Sequence, residues 1–303
     1  MVEKERTRGA WESRIAFLLI IPSLIIFLFF NLYPIIYSVF LAFTNAEFTN
    51  IAGRYSFIGM ENFAKLLFHP DTRFYYVLGR TALFVVTSVP LKVLFGLGLA
   101  VIFNSRLIKG GKILRSLLIL PWTIPAMLSI LVWRGLFNLD FGAINQMLQS
   151  WGFPRVNWLQ DTTNAFIVYN IVEVWLAYPF MMTVILAALQ SVPPELYDSA
   201  RVDGAGTWQR LRYITLPLIF RPLWFATILT SSASFQAFLV PFVLNGGGPA
   251  RTNEMVMVYG YKEAFQLGNY GYAAAFMVII SLIVTVFMLA GMKAGKMAGE
   301  EES

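Results

Sequence analysis

The sequence predicts an all-α integral membrane protein with six transmembrane helices, and three observations carry that expectation. First, 57% of its 303 residues are hydrophobic and only 13% are charged, too apolar a balance for a soluble domain with a hydrated surface. Second, six apolar segments are long enough to cross a bilayer at 1.5 Å per residue: 15–43, 81–103, 116–133, 165–189, 222–244 and 272–292. Third, the cations are unevenly divided. Fourteen Lys and Arg residues fall on the side that holds both termini and seven on the other, with Lys92 and Arg134 within or at the edge of spans. The positive-inside rule therefore puts both termini in the cytoplasm. The net charge of +6 is mostly this bias, and no basic soluble face with interleaved aromatics exists for nucleic acid.

The organisation expected is a cytoplasmic tail 1–14, a six-span body 15–293 with a cytoplasmic loop 190–221, and a tail 294–303. Span one is too long for a signal-peptide core and no small-residue cleavage site follows it, so it reads as retained. The outer segment 44–80 mixes Phe57, Phe63, Phe68, Phe74, Tyr75 and Tyr76 with charges, which suits headgroup depth and an amphipathic helix over 61–68. The inner connection 104–115 is short, basic and glycine-containing. Gly142 and Gly152 punctuate the outer loop 138–164, and NGGGPARTNE opens the loop 245–271 with a backbone reversal. Prolines 22, 34, 90, 121, 125, 179 and 241 lie within spans, where each frees a carbonyl and bends the axis. The chain has no cysteine and one histidine, His69, in an outer loop. No disulfide, thiolate or metal site is expected, and no catalytic residue either, because the carboxylates are scattered over both membrane faces.

The loop between spans four and five has an internal pattern. Pro193 and Pro194 preset a helix over 195–203, with Glu195 and Asp198 suited to its positive end. Leu196, Ala200 and, on an adjacent row, Tyr197 share a face, while Asp198 and Arg201 pair at i,i+3. Gly204-Ala205-Gly206 reverses the chain, Thr207 caps a second helix through Tyr213, and Leu216-Pro217 returns to the membrane. The product is a small helix–turn–helix with tiny residues at its apex, either a docking surface or a plain interfacial connector.

Asp198-Ser199-Ala200, Asp203-Gly204-Ala205, Leu211 and Ile214-Thr215-Leu216-Pro217 resemble the cytoplasmic loop of ATP-binding-cassette importer permeases. Ser199 in place of alanine and Leu211 in place of a frequent Phe are mild departures. Gly247-Gly248-Pro249-Ala250-Arg251-Thr252, with Tyr261 and Phe265, is similar to an outer signature of the carbohydrate branch. Phe57-Ile58-Gly59-Met60-Glu61-Asn62-Phe63, Leu120-Pro121, Gly142-Ala143-Ile144-Asn145, Glu173-Val174-Trp175 and Pro179-Phe180 extend the likeness over nearly the whole chain. The resemblance implies a type I importer permease in the cell membrane of a bacterium or archaeon. Its implied partners are a second permease, two ATPase subunits that bind ATP and Mg, an extracytoplasmic sugar-binding protein and a di- or oligosaccharide of the maltose or trehalose kind, with glycerol-phosphate-type substrates as the closest rival. It also implies that Glu195, Asp198, Ala200, Asp203, Gly204, Ala205, Leu211 and Pro217 form the ATPase-coupling loop. In agreement, no G-x-x-x-x-G-K-[ST] occurs in the chain, so no cofactor is expected in this subunit.

Lys92 and Glu173 lie inside apolar spans, where a charge costs roughly 2.5–3.5 kcal/mol. Counted from the outer ends they differ in depth by about 4.5 Å, so they suit each other as partners. Thr227, Thr230, Ser231 and Ser234 fall on one face of span five, with Ser232 and Gln236 beside it, and Asn170 and Tyr178 lie in span four. Asn170, Tyr178, Ser231, Ser234 and Gln236 are candidates for a sugar path; interhelical packing by small hydroxylated residues is the competing role. The rival functional class is a secondary transporter with Lys92 and Glu173 as an ion-coupling relay.

Overall fold

The structure is a computed structural model that describes residues 18–70, 72–104 and 111–300. The expected tail 1–14, the first residues of span one, the inner connection 105–110 and residues 301–303 lie outside the described residues. Among those described, all regular structure is helical, apart from one isolated bridge between Thr44 and Phe57. Two compact units divide the chain: one comprises the segment before Arg73 with Gly260–Ile279, the other Arg73–Tyr259 with the chain from Ile280 onward.

In the first unit, α1 (Leu18–Leu41) is a continuous apolar helix with a π turn over Leu28–Leu32, and none of its residues is buried within this chain. The amphipathic α2 (Glu61–Phe68) forms where the sequence places it, burying Asn62, Phe63 and Leu66 and leaving Phe68 exposed. Asn62 explains the local fold: its amide donates to the carbonyls of Ala42 at 3.0 Å and Thr44 at 2.8 Å, sealing the end of the first span. The same loop is tied to the later segment by Phe48 N–H to Gly268 O and by Gly271 N–H to Ala46 O, both 2.8 Å.

The second unit is built on α3 (Phe74–Asn104), packed lengthwise against α8 (Thr162–Gln190). Helix α3 begins a full turn and more before the expected Thr81, because Phe74 and Val77 are buried and continue the helical register outward. At 31 residues it is about 46 Å long, more than the hydrocarbon core requires. Gly96 sets the α3–α8 distance, since a Cβ there would stand 2.5 Å from Met181 Cβ. Asp161 caps α8 by accepting from the N–H groups of Thr163 and Asn164 at 3.0 and 2.8 Å.

The third expected span is not one helix. It consists of α4 (Gly111–Leu118), α5 (Leu120–Thr123) and α6 (Ala126–Leu136). The break at Ile124, with ψ 130°, follows from Pro125, whose ring disfavours helical backbone in the residue before it. A short helix, α7 (Ala143–Ser150), follows; buried Asn145 knits its loop by exchanging 3.0 Å hydrogen bonds with the backbone of Val156. Span five is also interrupted: α11 (Leu216–Phe235) ends before Gln236 and α12 (Leu239–Asn245) resumes after Phe238. Pro241 cannot donate to the carbonyl four residues earlier and its ring crowds it, which releases the turn at that point.

Between α3, α8 and α11 run two apolar clusters, one around Phe84, Val168, Tyr169 and Leu244, the other around Met181, Ile185, Leu189 and Ile219. The chain continues through α13 (Val256–Tyr261) and a π turn over Lys262–Gln266 into α14 (Tyr270–Glu300), which runs well past the expected span end at 292. Trp224 of α11 lies against the glycines of α14 and donates its indole N–H to Gly291 O at 2.9 Å.

Candidate functional site: the hairpin between α8 and α11

The hairpin begins at Pro193 and runs through α9 (Pro194–Val202), a reversal at 203–206, and α10 (Thr207–Arg210). Glu195 sits in the first turn of α9 and Arg201 in the last, and Asp198 pairs with Arg201 at 2.9 Å with both side chains largely exposed. A pair in that setting contributes at most about 1 kcal/mol. Gly204 takes φ +79°, the left-handed conformation the reversal requires, and Ala205 N–H donates to Ala200 O at 2.8 Å to close the helix end. Nothing lies within 4 Å of where a Cβ on Gly204 would stand, so the apex is open to an approaching surface.

Two details differ from the sequence expectation. Gly206, not Thr207, is the cap of α10, and the Gln209 side chain accepts from its N–H at 2.7 Å. The second arm does not stop at Tyr213: α10 passes through a π turn, Leu211–Thr215, directly into α11. The tight interior explains the continuity. The Tyr197 hydroxyl meets Thr215 Oγ1 at 3.1 Å, pinning the two arms together, and Thr215 Oγ1 donates to Arg210 O at 3.2 Å. Leu211 therefore sits in the π turn, half-buried, and Pro217 is exposed at the start of α11.

Sequence reasoning named Leu196, Ala200, Tyr197 and Leu211 here and missed three exposed apolar side chains of the hairpin. Val202, Trp208 and Tyr213 are 88%, 68% and 70% exposed. A lone tryptophan in an otherwise polar loop is the signal that would have found them. Asp203, Gly204, Gln209 and Tyr213 line a shallow cleft of about 260 Å³ at the apex.

Inside the spans, Lys92 Nζ donates to Glu173 Oε1 at 2.9 Å and to Ser234 Oγ at 2.7 Å. Ser234 is thus bound to a charge within this chain and donates its own hydroxyl hydrogen bond to Thr230 O at 2.8 Å. The other four sugar-path candidates differ in their surroundings. Asn170 is buried between Thr87 Oγ1 and Phe166 O, and Tyr178 is buried edge-on to Phe95 and Trp175. Ser231 turns back to Thr227 O at 2.7 Å, so packing is the role its geometry supports. Gln236 alone of the five is exposed, at the break in span five, donating to Ser232 O at 3.3 Å.

The loop after α12 is bound to the ends of α3 and α8. Arg73 and Tyr76 donate to the carbonyls of Arg251 and Thr252 at 2.8 and 2.7 Å, Arg80 bonds Asn253, and Asn253 Nδ2 donates to Thr162 O at 2.8 Å. Glu254, fully buried, accepts from Arg251 at 2.9 Å. Ala250 and Arg251 adopt φ +44° and +64°, a conformation that persists in non-glycine residues only where surroundings over-determine it. Among the described residues no group of three or more His, Cys, Asp or Glu side chains is placed to hold a metal ion.

Comparison with known proteins agrees with this arrangement. The family described as "Binding-protein-dependent transport system inner membrane component" matches residues 92–294. The chain is 33% identical over 287 residues to the trehalose/maltose transport system permease protein of Thermococcus litoralis, covering 94% of this chain and 95% of that one. It is 34% identical to the galactooligosaccharides transport system permease protein of Bacillus subtilis, covering 87% and 66% respectively. Among solved structures, a bacterial ABC transporter involved in import of the acidic polysaccharide alginate superposes with a TM-score of 0.84, covering 95% of this chain and 97% of that one. At 24% identity that likeness speaks to the fold.

Proposed function

The chain belongs to the family of binding-protein-dependent transport system inner membrane components, and on that premise we propose that it is a permease subunit of an ATP-driven importer of di- or oligosaccharides. It is a transport subunit and not an enzyme; ATP hydrolysis belongs to separate subunits. The observation that carries the sugar reading is the similarity to the trehalose/maltose permease, which runs from end to end of both chains. The chain is a multi-pass membrane protein, and the cation bias supports placing both termini in the cytoplasm.

In this reading the hairpin docks on an ATPase subunit that binds ATP and Mg, with the open Gly204 apex and the exposed Val202, Trp208 and Tyr213 side chains available for contact. The continuous path from α10 into α11 supports coupling, because motion of the hairpin passes into span five without an intervening loop. Helix α1 supports a second permease as partner: a predominantly apolar helix of 24 residues with none buried in this chain calls for lipid and a neighbouring subunit to cover it. The external binding protein delivers sugar to the outer side, and alternating access passes it through.

The test is uptake of labelled maltose and trehalose by vesicles carrying this chain with its co-expressed partners. Uptake that needs ATP and the binding protein, and survives collapse of proton and sodium gradients, supports the proposal. Uptake driven by either gradient without ATP overturns it in favour of a secondary transporter.

A further inference from the structure

We propose that the crevice between the hairpin and the inner ends of α3 and α8 is a binding site for an anionic phospholipid of the cytoplasmic leaflet. The proposal rests on the orientation argued above, and nothing in the sugar-transport reading requires it. The crevice has a volume of about 630 Å³, within the roughly 300–1,000 Å³ range of sites that enclose a small molecule. Its two walls differ in charge. One, where α3 and α8 end, carries Val101, Leu189 and Val192 with the neutral amides of Asn104 and Gln190; the other, formed by the hairpin, carries the charged side chains of the described lining.

The charges decide the ligand class. Among the described residues three charged side chains line the crevice, and two of them, Asp198 and Arg201, are paired with each other at 2.9 Å. The third is Arg210, whose described bonds from the guanidinium are a single 3.3 Å contact to Thr207 Oγ1, and whose Nε is buried without an acceptor. A surplus guanidinium opposite the side chains of Val101, Leu189 and Val192 fits a phosphate carried on an acyl glycerol. A carbohydrate would call for an aromatic platform, and Tyr197, the only aromatic side chain among the described residues of the lining, has its hydroxyl engaged by Thr215. Basic pockets between spans on the cytoplasmic side suit anionic headgroups in general. Arg210 also lines the apex cleft beside Gly204, so a bound phosphate would fix the side chain that separates the membrane-side crevice from the docking apex.

The test uses the full chain extracted with its co-purifying partners and exposed to phosphatidylglycerol or phosphatidylcholine vesicles, with retained lipid read by native mass spectrometry. Phosphatidylglycerol should be retained about fivefold over phosphatidylcholine, the factor for roughly 1 kcal/mol per membrane-surface cation. Arg210→Ala should abolish that preference, Arg210→Lys should keep most of it, and Arg212→Ala, at an exposed cation outside the crevice, should leave it intact. Equal retention of the two lipids, or a preference unchanged in Arg210→Ala, overturns the proposal. Glycerol 3-phosphate without acyl chains displacing the lipid at equal concentration also overturns it, assigning the site to free phosphate. Because binding is read without transport, these outcomes are independent of whether sugar uptake is ATP-driven.

Discussion

Lys92 Nζ stands 2.9 Å from Glu173 Oε1 and 2.7 Å from Ser234 Oγ, which joins α3, α8 and α11 at one point inside the membrane spans. The pair is unequal: the Lys92 side chain is 1% exposed and that of Glu173 15%. Removing one partner of a buried pair costs roughly 3–5 kcal/mol because the other charge is left uncompensated. Glu173→Gln should therefore lower stability more than Lys92→Met, since it strands the more buried charge. The double variant should recover much of the loss. Thermal unfolding of the purified variants in detergent checks this, and strictly additive losses would argue against the pair as a stabilising unit.

Gly204→Asp should abolish uptake while leaving insertion into the membrane and overall stability nearly unchanged. The space around Gly204 is open, so the substitution meets no atom of this chain. Its cost here is only that of a left-handed residue, about 1 kcal/mol. A large functional loss must then arise at a partner's surface. Uptake is measured together with ATPase co-purification; normal values of both would make the hairpin a mere connector.

Cysteines introduced at Ser191 and Ala250 in this cysteine-free chain should label from opposite sides of the membrane. Both positions are exposed, and Ala250 lies in the loop after α12. Reaction at position 250 with a reagent confined to the cytoplasm would reverse the orientation drawn from the cation bias.

Gly96→Leu should destabilise the protein by about 1–3 kcal/mol, the usual cost of overpacking. The Met181 backbone carbonyl carbon lies 3.1 Å from the added Cβ, so no side-chain rotation relieves the clash and α3 must move away from α8. A lowered unfolding temperature is the readout; an unchanged one would show that the two helices separate without cost.

How much was legible in advance follows from what each feature depends on. Span positions, the Glu61–Phe68 helix and the left-handed Gly204 were readable because hydropathy, periodicity and the demands of a turn are local. The Lys92–Glu173 pairing was readable because an unpaired charge inside a span is too costly to stand alone. The break at Ile124 was half-visible: Pro125 announced a bend, and only the folded chain shows the helix ending there.

The sequence by itself determined that this chain crosses a membrane repeatedly, which of its segments carry the excess of cations, and where its patterned polar hairpin lies along the chain. Those properties are sums over neighbouring residues and need no partner in space. Tertiary structure alone decided that Ser234 completes the Lys92 site, that Tyr197 pins the hairpin through Thr215, and that Asn253 and Glu254 bind the loop after α12 to α3. Each of these joins residues far apart in the chain, and a hydroxyl or amide reads the same in sequence whether it meets a substrate, a carbonyl or a buried charge. Only the packed helices fix which of these it meets.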